Sequence, residues 1–259
     1  MNVHNLIFAD LDDTLFQTLR KCGNLSSDGT GAIGTTLQPR AYLKDGSTIS
    51  YATPKQQRLW QWLSESGQII PVTARNFDAF SRVDLPFKNE VVLNHGAVIL
   101  DKEHKLDLEW HAYMADVLPT YHDELLDLWE QLEGLTGNGS GLRARLIEDF
   151  GRTWYGVIKH ADADENALQA LLCSTIKKHE SVASGRLYCH SNGNNLAVIP
   201  EVIGKANAVN FLRSRYAELF ESIFTIGIGD SITDASFMAL CDYAIIPKNT
   251  QLGALLDEM

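Results

Sequence analysis

With 259 residues the chain can bury one large core or two moderate ones, and 45% hydrophobic with 21% charged residues is a globular composition. Its 33 acidic against 22 basic side chains leave a net charge of −11, which repels nucleic-acid backbones and anionic lipid heads and removes both from the expected partners. A small anionic substrate stays compatible, because a metal ion and a few lysines or arginines reverse the field locally; no protein partner is indicated.

Taken in chain order, Leu6 to Ala9 reads as a buried strand ending at Asp10. That apolar run is too short for a signal peptide, and no stretch reaches the roughly 20 apolar residues needed to cross a bilayer. Cys22, Cys173, Cys189 and Cys241 form no CxxC pair and read as reduced thiols, so a cytoplasmic protein is expected. Residues 17–53 are rich in Gly, Ser and Thr, and Asp45-Gly46 between Ala41-Tyr42-Leu43 and Thr48 to Tyr51 is a hairpin signal, so a flap beside the first loop is expected. Lys21 to Leu37 reads either as part of that flap or as a partly disordered loop.

Thr53-Pro54 caps a helix over Lys55 to Ser66 that Gly67 closes. Strands over Gln68 to Val72 and Val91 to Leu93 end at Thr73 and Asn94. Residues 98–199 change character: helices over Met114 to Leu132 and Asp164 to His179 accompany strands over Leu142 to Ile147, Thr153 to Ile158, Leu187 to His190 and Leu196 to Ile199. A helix over Lys205 to Leu219, a strand over Phe224 to Gly229 ending at Asp230, a helix over Ser231 to Leu240 and a strand over Tyr243 to Ile246 complete the chain. Strands apolar on both faces that alternate with helices imply an α/β, doubly wound parallel-sheet core over 1–97 and 200–259. A smaller α+β cap domain over 98–199 is inserted into it. Such sheets bind ligands beyond the carboxyl ends of their strands, where Asp10, Thr73 and Asp230 fall.

Those residues suit phosphoryl transfer, which needs a nucleophile, a proton donor for the leaving oxygen and cations around the phosphoryl oxygens. Asp10-Leu11-Asp12-Asp13-Thr14 places a carboxylate at a strand end and a second one two residues on. Asp230 and Asp234, four apart at a strand end and a helix start, suit Mg²⁺, though helix capping explains the same pair. Thr73 can donate its hydroxyl to a phosphoryl oxygen or serve as an N-cap. Lys205 begins a helix, where its charge opposes the dipole and a bound anion would explain it better than helix stability does.

In this order the four segments resemble the four motifs of the haloacid dehalogenase superfamily of phosphohydrolases, over residues 6 to about 247. The insertion between the second and third motifs is similar to the type-two cap of the sugar-phosphatase branch. Asn94-His95-Gly96-Ala97, with His95 as an insertion, is similar to an Asn-Gly-Ala segment of that branch, and Leu196 to Pro200 before Lys205 resembles sucrose-phosphate phosphatase relatives. Ala197 and Ala206 depart from that pattern, which usually has an acid and a Gly there.

The resemblance implies that Asp10 attacks phosphorus and ligates Mg²⁺. Asp12 would be the general acid and base and lend a carbonyl to the metal. Asp230 would ligate the metal, and Asp234 would bind it through water or orient Lys205. Thr73 and Lys205 would hold the phosphoryl oxygens. Arg75 reads either as a substrate contact or as an ion pair, and Asp13 as a bystander facing the flap. Asn94 joins the expected substrate contacts, as do Arg186 and Asn195 among the cap candidates Arg143, Arg145, Lys159, His190, Asn192 and Asn194; Asn192 to Asn195 also reads as a hairpin turn. Trp110, Trp129 and Trp154 read as core. The activity expected is hydrolysis of a small phosphorylated metabolite, a sugar phosphate by resemblance. The alternatives are a phosphosugar mutase and, in another class, a receiver-like or silent phospho-ligand-binding protein. A receiver would carry its acidic pair on the first strand and its phosphorylated Asp on a later one.

Overall fold

The computed structural model describes residues 3–23, 37–136 and 139–257. The chain forms two compact units, Met1–Asp107 with Gly204–Met259, and Leu108–Ile203. The sequence placed the junctions at 97/98 and 199/200. Instead Val98–Leu100 pairs antiparallel with Val91–Leu93 and stays with the first unit, while Leu196–Pro200 pairs inside the second.

The first unit opens with β1 (His4–Ala9), whose Leu6 to Ala9 are at most 1% exposed. Fully burying a side chain such as Phe8 contributes roughly 1.5–3 kcal/mol. The flap follows as β2 (Gln17–Thr18), β3 (Gln38–Tyr42) and β4 (Thr48–Ala52), an antiparallel sheet in the order β2-β4-β3. Its hairpin turns at Asp45-Gly46, where the Asp45 carboxylate accepts from the Ser47 N–H and hydroxyl. Residues 24–36, which carry most of the segment read as flap or loop, lie outside the described residues. The first helix, α1 (Pro54–Ser66), starts with a capping box between Thr53 and Gln56. Gln56 also donates to the Thr14 carbonyl, tying the helix start to the loop after β1. Next come β5 (Gln68–Pro71), α2 (Phe77–Phe80), β6 (Val91–Leu93) and β7 (Val98–Leu100).

The second unit contains α3 (Leu108–Val117), α4 (Pro119–Glu133), β8 (Leu142–Asp149), β9 (Arg152–His160), α5 (Glu165–Ser174), α6 (Glu180–Ala183), β10 (Leu187–Ser191) and β11 (Leu196–Pro200). The single helix expected over 114–132 is two, because Pro119 lacks an N–H and starts a new helix. The helix expected over 164–179 ends at Ser174, where Thr175 leaves helical geometry at φ −125°. The four strands form an antiparallel sheet, β10-β11-β9-β8. One face packs on Leu125, Leu128, Trp129 and Leu132 of α4 and on Leu168, Leu171 and Leu172 of α5. Trp110, Trp129 and Trp154 are all buried, as core residues.

The chain returns to the first unit through α7 (Lys205–Leu219), β12 (Ile223–Ile228), α8 (Ile232–Met238), β13 (Tyr243–Ile245) and α9 (Gln251–Asp257). Its main sheet is parallel, in the order β13-β12-β1-β5. A parallel bridge between Val72 and Val92 carries the pairing on toward β6. Because Ala9 lies in register with both Ile228 and Pro71, the segments after β1, β12 and β5 leave the sheet at one edge. All four cysteines are unpaired, and no helix among the described residues is long and apolar enough to cross a membrane.

Candidate active site

Asp10 leaves β1 with its N–H donated to the Ile228 carbonyl and its carboxyl 5% exposed. On the neighbouring strand Gly229 and Asp230 follow β12, and Ser231 caps α8. Gly229 is required there: a Cβ would lie 2.3 Å from the Cβ of Asp234. Asp234 closes the capping box, its Oδ2 accepting from the Ser231 N–H and hydroxyl and from the Asp230 N–H. Its Oδ1 accepts from Lys205 Nζ at 2.6 Å, and the same ammonium donates to Asp10 Oδ1 at 2.6 Å. The Asp234 side chain thus both caps α8 and holds Lys205.

Carboxylate oxygens of Asp10, Asp230 and Asp234 lie within 4.8 Å of one another, all three buried. Burial, then the charges of Asp234 and Asp230, raise the Asp10 pKa well above the ordinary value against the pull of Lys205. Burial, Asp234 and Asp13 push Asp230 up to about 7, opposed by Lys205 and Lys21. Burial would also raise Asp234, but Lys205 and the Ser231 hydrogen bonds hold it low. Lys205 itself is buried, and Asp10 and Asp234 overcome that burial to raise its pKa. Three carboxyls share one ammonium, and the surplus is negative. An all-oxygen donor set with surplus negative charge fits a hard divalent cation.

The lysine is placed by an unusual turn. Asn94, His95 and Gly96 have φ of 51°, 59° and 105°, all left-handed, and a Cβ on Gly96 would lie 2.3 Å from the Gly204 carbonyl oxygen. The same turn donates the Asn94 N–H to the Arg75 carbonyl and the His95 N–H to the Thr73 carbonyl. It thus joins the Thr73 loop to the start of α7. Asn94 is fully buried, as Thr73 and Lys205 nearly are. Thr73 is 1% exposed, and its hydroxyl accepts the Arg75 N–H.

Asp12 stands apart from the buried cluster, with a side chain 48% exposed. Both its oxygens accept from the Arg75 guanidinium, at 2.8 and 2.7 Å, and that guanidinium lies over the Phe16 ring. Of the two readings of Arg75 the ion pair is the one present. Asp13, at φ 61°, pairs with Lys21 from the short 3₁₀ turn Leu19–Cys22 of the flap. Lys21 carried no motif in the sequence; an isolated cation after an acidic loop was its only signal.

In the second unit, Arg186 is engaged by Glu124, by the Thr120 carbonyl and by the Tyr121 ring at 4.4 Å. Asn195 ends the β10–β11 turn, its carbonyl accepting from the Asn192 N–H, and the Asn194 side chain bonds both backbone groups of His160. The turn reading of Asn192 to Asn195 accounts for both.

No family model matches the chain, and no curated protein sequence does. Its fold is similar to three solved structures. The first is a trehalose-6-phosphate phosphatase related protein, at 18% identity and TM-score 0.51, covering 95% of this chain and 88% of the other. The second is the sucrose-phosphatase of Synechocystis in complex with sucrose and phosphate, at 14% and 0.53, covering 100% and 97%. The third is the C-terminal domain of C. albicans trehalose-6-phosphate phosphatase, at 16% and 0.55, covering 90% and 72%. At these identities the likeness is one of fold: a parallel α/β core interrupted by a smaller α+β unit.

Proposed function

We propose that the chain is a Mg²⁺-dependent phosphomonoesterase that hydrolyses a small phosphorylated metabolite, of the sugar-phosphate class, through an aspartyl phosphate on Asp10. One observation carries this reading: Asp10, Lys205, Asp230 and Asp234, spread over more than 200 positions, form a single buried charge cluster at the carboxyl edge of the sheet. The sugar-phosphate class is supported by the neighbours in fold, two of which are trehalose-6-phosphate phosphatase and sucrose-phosphatase.

Lys205 holds Oδ1 of Asp10, which leaves the other carboxylate oxygen to attack phosphorus. The P–O(alkyl) bond breaks as the P–O(Asp10) bond forms, and Asp12 gives a proton to the departing oxygen. Water then attacks the acyl phosphate, returns a proton to Asp12 and releases inorganic phosphate and free Asp10. Thr73 and Lys205 bind the phosphoryl oxygens. Asp10, Asp230 and the Asp12 carbonyl would hold a divalent cation, whose charge offsets the repulsion between the attacking carboxylate and the phosphoryl oxygens when bound. Asp234 has both oxygens committed to Lys205 and the α8 cap, so its part is to orient Lys205.

Asp10→Asn is expected to abolish phosphate release, by on the order of 10⁴-fold or more, with an unchanged circular-dichroism spectrum. Release of phosphate at the wild-type rate by that variant would remove the nucleophile. Product analysis separates hydrolysis from a mutase reaction, which would yield an isomeric sugar phosphate and no inorganic phosphate.

A further inference from the structure

The second unit carries a cluster of charge that the proposed chemistry does not use. Arg143 and Arg145 alternate along β8 with Leu142, Ala144 and Leu146, which pack against the helices. The two arginines therefore point to the opposite face of the sheet. Lys159 on β9 lies directly across from Arg143, and Val157 across from Arg145. The three cations line a hollow of about 380 Å³ together with Val157, His160 and Asn194. Among the described residues no acidic side chain forms an ion pair with any of them, although acids outnumber bases 33 to 22 in the chain.

Like charges directly opposite each other on neighbouring strands weaken a sheet. Burial and then the charge of Arg145 lower the Lys159 pKa, so the ammonium stands in a place unfavourable to it. A solvated face of this sheet had no need of three cations at adjacent positions. The rim is built: the Asn194 carboxamide bonds the His160 N–H and carbonyl at 2.8 Å each and fixes the end of β9 beside Lys159. A sequence that breaks a local rule at one place, in a fixed concavity, does so where a ligand supplies the missing charge.

We infer that this face of the second unit is an anion-binding site, formed by Arg143, Arg145 and Lys159, for a phosphate or carboxylate group. Two arginine forks and one ammonium suit the oxygens of either group. The site lies wholly within the second unit and takes a separate phosphate- or carboxylate-bearing ligand, so the inference stands independently of the phosphatase reading.

The test titrates the full chain with inorganic phosphate in excess chelator, followed by amide chemical shifts and calorimetry. Phosphate should move the amides of 143–145 and 157–161, with an affinity that weakens as salt is added. R145Q should weaken that binding about tenfold, and R145Q with K159Q about a hundredfold, as expected for lost charge-assisted hydrogen bonds. Lys205→Ala, which removes the phosphate contact at the sheet edge, should leave these shifts as they are. Unmoved amides, or an unchanged affinity in a folded double variant, would overturn the site even if the chain hydrolyses phosphate esters.

Discussion

At the sheet edge of the first unit, Asp10, Asp230 and Asp234 crowd round one ammonium; on one face of the second unit, Arg143, Arg145 and Lys159 crowd together, and no acidic side chain among the described residues pairs with them. Both places set like charges side by side, but they handle the conflict differently. The acidic cluster is buried, and its tension appears as raised pKa values of Asp10 and Asp230. The basic one is largely exposed, so water screens it, and its tension appears as the lowered pKa of Lys159. In each case the sign of the surplus is the opposite of the ligand proposed for it: a cation at the edge, an anion on the face.

The comparison breaks most sharply at Lys205. Lys205→Ala removes the ammonium that Asp10 and Asp234 share. It should lower turnover by roughly 10³-fold and cost about 3 kcal/mol of stability in chelator. Turnover by stopped assay and unfolding in urea measure the two. Wild-type values for both would mean that the ammonium is a bystander and the cluster is not a catalytic unit.

Arg75 sharpens the contrast between held and free cations inside the first unit itself. Its fork takes both oxygens of Asp12, so it is a positioning residue for that carboxyl. Lysine cannot reproduce a planar two-pronged contact, so Arg75→Lys should lower kcat about tenfold and leave KM within about twofold. A raised KM with unchanged kcat would restore the reading of Arg75 as a substrate contact.

Much of the site was legible because its residues sit where strands stop. An apolar run ending in an acid marked Asp10 and Asp230, and a lysine at a helix start, against the dipole, marked Lys205. The pairings were not legible. Arg75 with Asp12 spans 63 positions and Lys21 with Asp13 spans eight, and neither spacing belongs to a helix or strand period. His95 read as an insertion, yet Asn-His-Gly is a run whose first and last residues tolerate left-handed backbone, and the turn uses all three. The unit boundary was misplaced because Val98-Ile99-Leu100 is apolar enough for either unit; only its pairing with β6 assigns it. Leu118-Pro119 did carry the signal for two helices, and the apolar periodicity on both sides masked it.

The smallest effect concerns the acidic surplus alone. Asp230 holds its proton up to about pH 7 in the folded chain, against an ordinary 3.8. The folded state therefore binds more protons than the unfolded one between those values, and stability falls as pH rises through that window. Asp230→Asn removes the titration. In chelator the variant should be the more stable protein above pH 7, by roughly 2 kcal/mol. The gap should open as pH rises from about 4 to about 7 and stay level above. Added Mg²⁺ should close or reverse it by stabilising only the wild type, since the cation binds the deprotonated carboxylates. Thermal unfolding with and without Mg²⁺ at several pH values reads both terms. A variant less stable than wild type throughout in chelator would show Asp230 compensated from within the chain, and the edge would then need no cation.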